Sequence, residues 1–351
     1  MSQKIQITRI EKSKIHDVDF NNFSFGSVFT DHMFECDFID GRWVNPTIKP
    51  YQPISIEPSA SVLHYGQAIF EGMKAYKDKN DEVWLFRPDQ NFERINKSAV
   101  RMAIPEFPKD LFFDALTKLV DIDRDWVKHG DGKSLYLRPF VIGNEYAIQA
   151  VPSKNYKFMI ICAPATLYYT KKLKVLVADK FSRAASGGVG YAKAAGNYAG
   201  QFYPTRLAND EGFDQVIWTD ANEHNYLEEA GTMNIFFRIN DTLITAPTTD
   251  TILDGVTRKS LIQIAMDIGI KVEIKKLRVD ELKKAAKNGS LKEIFGAGTA
   301  AVVSQISAFQ HKGELFELME QEKSYAEKLK SNLVGIQTNE LEDNHNWKYK
   351  V

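Results

Sequence analysis

The chain has 351 residues with 45 Lys and Arg against 46 Asp and Glu, and the resulting net charge of -1 supplies no field for holding a nucleic acid or an anionic membrane. Any phosphate it binds must therefore be held locally, and a 44% hydrophobic share over this length points to two domains rather than one core. Cys36 and Cys162 stand too far apart for a CxxC pair, so neither a disulfide framework nor a zinc site is indicated and a reducing compartment fits.

Residues 1–10 alternate polar and apolar without the apolar core of a secretory signal, and no later run approaches the roughly 20 apolar residues of a membrane span. A cytoplasmic protein is expected. Residues 83–86 read as a strand, and 90–102 as a helix with Phe92, Ile95, Ala99 and Met102 on one face, ended by Pro105. Residues 111–127 repeat the helical spacing. Residues 134–142 and 156–162 read as buried strands, and 163–174, with a proline and paired tyrosines, as a crossover between domains. A glycine-rich stretch, 187–200, runs into a helix ending near Gly212. Hairpin-like pieces follow at 214–219, 233–239 and 242–245, with Asn240-Asp241 as a tight turn. A helix after Asp254-Gly255-Val256-Thr257 buries Leu261, Ile264, Ala265 and Ile268. Strands at 293–295 and 301–306 flank Gly296-Ala297-Gly298-Thr299-Ala300, and a Lys/Glu-rich helix, 322–333, precedes a polar tail.

Four segments combine backbone laid open by small residues with one reactive or polar side chain. In Gly190-Tyr191-Ala192-Lys193-Ala194-Ala195-Gly196-Asn197-Tyr198, alanine and glycine leave the amine accessible with little room for water, which lowers an amine pKa and suits a Schiff base. An ordinary lysine at a helix start is the alternative. Glu228-Glu229-Ala230-Gly231-Thr232-Met233-Asn234 reads as paired acids in a turn between strands, with Glu229 able to point inward and require a positive partner. Gly255-Val256-Thr257-Arg258 opens a helix whose free N–H groups and dipole make either an anion site or a plain N-cap. Gly296-Ala297-Gly298-Thr299-Ala300 could present amides to a phosphate or carboxylate, and its spacing is neither that of a Walker loop nor that of a dinucleotide loop.

Read in order, these residues resemble the fold-type-IV family of pyridoxal-phosphate enzymes, and within it the branched-chain amino acid aminotransferases. The likeness covers nearly the whole chain. It also includes Phe25-Gly26-Ser27-Val28-Phe29-Thr30-Asp31-His32-Met33, Leu63-His64-Tyr65-Gly66, Phe70-Glu71-Gly72 and Ser134-Leu135-Tyr136-Leu137-Arg138-Pro139. The resemblance implies an α/β, two-domain fold: a smaller N-terminal α/β domain over 1–165, a linker over 166–174, and a larger C-terminal domain over 175–351 with barrel-like β structure and the cofactor lysine.

It further implies pyridoxal 5'-phosphate as cofactor, carried by Lys193, which also moves the proton between substrate and cofactor. Glu229 pairs with the pyridine N–H, and Tyr198 meets the ring hydroxyl. Arg94, with Arg101 as competitor, holds the phosphate together with Val256, Thr257 and Thr299; Thr232 and Gly298 complete the cofactor site. Phe25, Phe70 and Tyr136 form the wall for an aliphatic side chain. Thr299, Ala300, Tyr65 and Arg138 receive carboxylates, and Tyr65, Ile148 and Ala150 are lent by the partner of a homodimer. The implied reaction is ping-pong transfer from L-leucine, L-isoleucine or L-valine to 2-oxoglutarate. A D-amino-acid aminotransferase or aminodeoxychorismate lyase of the same fold is the near alternative, and a catalytically silent binder of the cofactor is the distant one. Where certain animal members carry Cys-x-x-Cys, this chain has Ala301-Val302-Val303-Ser304, so no thiol switch is expected there.

Overall fold

The computed structural model describes residues 4–20 and 22–351. The chain forms two compact units: Met1–Tyr168 with Ala192–Ala195 and Ile336–Val351, and Tyr169–Tyr191 with Gly196–Gly335.

The first unit is built on one sheet, in the order Gln6–Ile7, Arg42–Pro50, His32–Ile39, Tyr156–Ala165, Ser134–Gly143, Met73–Lys77, Val83–Phe86 and Lys348–Lys350, with Ala68–Phe70 also paired to Ser134–Gly143. Side chains of a strand alternate between faces. Leu135 and Leu137 thus enter a core with Phe34, Ile48, Leu85 and Phe158, while Tyr136 and Arg138 are left for the other face. The helices Pro88–Arg101 and Lys109–Ile122 cover the core side with Ile95, Ala99, Phe112, Leu116 and Leu119. The larger of these side chains each contribute about 1.5–3 kcal/mol on burial.

The second unit contains a closed barrel. Leu173–Val177, Gln215–Thr219, Tyr226–Ala230, Asn234–Ile239, Leu291–Gly298 and Val302–His311 each pair with two neighbours, and the last of them returns to the first in parallel. A barrel this narrow is filled by its own side chains, here Val175, Ile217, Leu227, Ile235, Phe237, Ile294 and Phe309 among others. The barrel-like structure expected of the C-terminal half is present.

Several boundaries differ from expectation. The lysine segment packs with the first unit rather than the second, because Phe70 N–H donates to Lys193 O and Ala195 N–H to Ala68 O, each at 3.0 Å, along the free edge of Ala68–Phe70. The polar tail also returns to the first unit: Lys348–Lys350 pairs with Val83–Phe86 and supplies that sheet's last strand. With both segments included, the first unit is not the smaller. The helix expected over 111–127 ends at Ile122, after which a 3-10 turn, Arg124–Trp126, buries Trp126 and bonds its indole N–H to Asp31 at 2.8 Å. Glu228 and Glu229 lie within the strand Tyr226–Ala230 and not in a turn, both side chains buried. Likewise Gly296 and Gly298 lie inside the strand Leu291–Gly298. A Cβ at 296 would come within 2.5 Å of Met233 Sδ, so that glycine makes room for a side chain and turns nothing.

Candidate active site

In the first unit several of the residues expected in the site lie on the strands Ala68–Phe70 and Ser134–Gly143. Tyr136 and Arg138 share a face, and the Arg138 guanidinium donates to the Tyr136 hydroxyl at 3.0 Å while lying 4.6 Å from the Phe70 ring centre. Phe25 meets Tyr136 edge-on at 5.0 Å, so the three aromatics expected to line an aliphatic pocket are in one cluster. Gly72 makes this possible: a Cβ there would lie 2.0 Å from the Tyr136 hydroxyl oxygen. The Arg138 Nε is buried without a hydrogen-bond partner, a desolvated donor that a carboxylate would satisfy.

Lys193 precedes the short helix Gly196–Ala199, which also carries the half-buried Tyr198. Its amide N–H donates to Ser98 Oγ at 2.9 Å, and Ser98 in turn bonds Arg94 O, so the lysine backbone hangs from the helix Pro88–Arg101. Its amine stands 4.7 Å from the centre of the Phe70 ring. Arg94 is buried on the same helix and held by Glu71, with Nε to Oε1 at 2.7 Å and Nη2 to Oε2 at 2.9 Å. Burial raises the Glu71 carboxyl, yet Arg94 first, then Lys193 and Asn91, hold it below the usual carboxylate range. Lys74, the cross-strand partner of Tyr136 and hence on its face, has its amine pushed down to about 8 by burial. Tyr65 and Ile148 form a surface pair, the Tyr65 hydroxyl donating to Ile148 O at 2.8 Å, and Ile148 and Ala150 are exposed.

In the second unit the centre is Glu229. Its Oε1 lies 2.6 Å from Arg183 Nη2, and its Oε2 accepts from Asn234 Nδ2 at 3.0 Å and from the Leu253 amide at 3.2 Å. Arg183 also donates to Gly190 O and Thr251 O, at 2.8 and 2.6 Å. It therefore ties the glycines ahead of Lys193 to the strand bearing Glu229. Glu228 points elsewhere, accepting from Thr251 Oγ1 at 2.6 Å, and burial raises its carboxyl.

The helix Val256–Asp267 begins close by. A Cβ on Gly255 would stand 2.0 Å from Asn234 Oδ1, so Asn234 reaches from Glu229 to the helix start and admits only glycine there. No side chain caps this start, no acid lies in its first turn, and Val256, Thr257 and Arg258 are buried. Buried, uncapped N–H groups at the positive end of a helix call for an anion. Thr299 and Ala300 occupy the turn between Gly298 and Val302, and a Cβ on Gly298 would meet Thr232 O at 2.9 Å. Val302 closes that turn at φ 57°, a backbone conformation that costs a β-branched residue about 1–3 kcal/mol and that turns beside functional sites retain.

The first unit thus brings Phe25, Phe70, Tyr136 and Arg138 together and hangs Lys193 from the helix of Arg94, while Tyr65, Ile148 and Ala150 lie exposed; the second unit joins Glu229 to the start of Val256–Asp267. The reading of the sequence assigned no role to Glu71, Lys74, Arg183 or Asn234. Glu71 and Asn234 stand inside segments singled out for their pattern; Arg183 and Lys74 carry no local signal, since a buried cation looks like a surface one in sequence.

The family model described as amino-transferase class IV matches residues 68–309. A protein of Staphylococcus epidermidis named probable branched-chain-amino-acid aminotransferase is 44% identical over 100% of this chain and 99% of its own length. The branched-chain-amino-acid transaminase 1 of Bacillus subtilis is 43% identical over 95% of each chain. Among solved structures, the branched-chain amino acid aminotransferase of Thermobaculum terrenum in its PLP-form matches with a TM-score of 0.75 at 19% identity, over 91% of this chain and 98% of that one.

Proposed function

Because the chain belongs to the class IV aminotransferases and acts as a branched-chain-amino-acid transaminase, we propose that pyridoxal phosphate is its cofactor, with Lys193 as the residue that binds it covalently. One observation carries this reading. Asn234 bridges a buried carboxylate, Glu229, to a buried and uncapped helix start, which are the two fittings that a protonated pyridine and a phosphate require. The orphaned Nε atoms of Arg183 and Arg258 add positive charge to the same surroundings. When bound, pyridoxal phosphate supplies an aldehyde for the substrate amine and a ring that draws electrons from the substrate α-carbon.

The chain's own residues do the rest. Lys193, with its backbone fixed to Ser98 and its amine over Phe70, takes the proton from the α-carbon and returns it. Glu229, ion-paired with Arg183, holds the ring-nitrogen proton. Tyr198 orients the ring hydroxyl; Arg94, Val256, Thr257 and Thr299 hold the phosphate, beside Thr232 and Gly298. Phe25, Phe70 and Tyr136 exclude water from the aliphatic side chain, and Arg138, Tyr65 and the Thr299-Ala300 backbone receive carboxylates, including the distal one of glutamate when 2-oxoglutarate is the acceptor. A homodimer is favoured by a cluster of exposed apolar residues, Leu63, Tyr65, Tyr146, Ile148 and Val151. Cys36 and Cys162, both buried and free, suit the cytoplasm. Borohydride reduction of the enzyme followed by peptide mapping is expected to leave a pyridoxyl group on Lys193, and the label is expected to be lost after L-leucine and restored by 2-oxoglutarate. A label on another lysine, or exchange with D-alanine alone, overturns the reading.

A further inference from the structure

Glu71 is wholly buried, and a carboxylate so placed must be compensated on every side. It accepts from Arg94 through Nε and Nη2, from Asn91 Nδ2 at 2.7 Å and from the Gly72 amide at 3.0 Å. Arg94 and Asn91 stand one helical turn apart on Pro88–Arg101, so the helix grips one carboxylate with both. A guanidinium offers donors along more than one edge. Glu71 takes the edge formed by Nε and Nη2, and this bidentate hold fixes the plane and direction of the group.

We propose that Glu71 is a positioning residue for the cofactor phosphate, aiming the Arg94 guanidinium and balancing its charge inside the fold. The inference rests on Arg94 being a phosphate ligand, as in the reading above. A residue of this kind acts on affinity for the phosphorylated vitamer alone. An architectural residue would weaken every vitamer alike.

The test uses the full chain stripped of cofactor and compares the dissociation constants of pyridoxal phosphate and of pyridoxal. Wild-type preference for pyridoxal phosphate, lost in Arg94→Gln, establishes the ligand role of Arg94 by itself, so the two ideas fail separately. Glu71→Gln keeps the shape but turns a donor toward the guanidinium. It is expected to weaken pyridoxal phosphate about tenfold or more while changing pyridoxal by less than about twofold. In the double variant Glu71→Gln/Arg94→Gln the loss should be no larger than for Arg94→Gln alone, because the first residue acts through the second. Asn91→Ala, which removes one anchor and leaves the charge, should move the same ratio in the same direction by less, and it decides the question if Glu71→Gln does not fold. Equal loss for both vitamers, or additive losses in the double variant, overturns the proposal.

Discussion

At the scale of single residues, the site depends on buried charges that are already paired within the protein. Arg183, Asn234 and the Leu253 amide all donate to the Glu229 carboxylate. Glu229→Gln removes the charge and leaves the Arg183 guanidinium, 3% exposed, without compensation. Breaking such a pair costs about 3–5 kcal/mol, so the variant is expected to melt at lower temperature. It is also expected to slow the proton-transfer half-reaction with L-leucine by about 100-fold, the scale for loss of one preorganised electrostatic partner. Stopped-flow absorbance with α-deuterated leucine checks this: an unchanged rate with the isotope effect unaltered removes Glu229 from the chemistry.

At the scale of elements, the barrel strands Gln215–Thr219 and Tyr226–Ala230 are joined by a turn that one side chain organises. Asp220 accepts from the amides of Glu223, Asn225 and Tyr226 at 3.0, 2.8 and 2.7 Å. Partial burial raises its carboxyl, but these amide donors outweigh burial and hold it below the ordinary aspartate value. A carboxyl depressed in the folded state stabilises the fold above its unfolded pKa, about 3.9, and that contribution is lost as pH falls through the folded value. Asp220→Asn is therefore expected to lower the melting temperature at pH 7, with the gap to the parent protein closing as pH drops toward 3. A gap constant across that range would show that charge at Asp220 plays no part in holding the turn that sets up the Glu229 strand.

At the scale of the whole molecule, the exposed apolar cluster around Ile148 is the feature a monomer leaves unexplained. Leu63, Tyr146 and Ile148 are 59%, 64% and 69% exposed. If this surface forms the proposed homodimer, Ile148→Asp is expected to convert a dimer to a monomer in sedimentation velocity and to lose most turnover with it, because Tyr65 and Ile148 would no longer be presented to a partner; a dimer with full activity would refute that use of the surface. Much of this architecture was legible in the chain. Strand and helix periodicity located the helices around Ile95 and Leu116 and the buried strands around Leu137 and Ile160. Glycines beside single polar residues marked Lys193, Glu229, Thr257 and Thr299, because spacing and small side chains are local properties. The rest depends on contacts between residues distant along the chain. Lys193 joins the first unit through the free edge of Ala68–Phe70, the C-terminal segment becomes a strand beside Val83–Phe86, and Gly296 is small because Met233 packs over it. The sequence by itself singled out residues whose types and backbone freedom suit the proposed chemistry, since reactivity and backbone freedom belong to residue types. Only the tertiary structure decided that Glu71 grips Arg94 and Arg183 grips Glu229, because a buried ion pair is a meeting of residues tens of positions apart that no local pattern records.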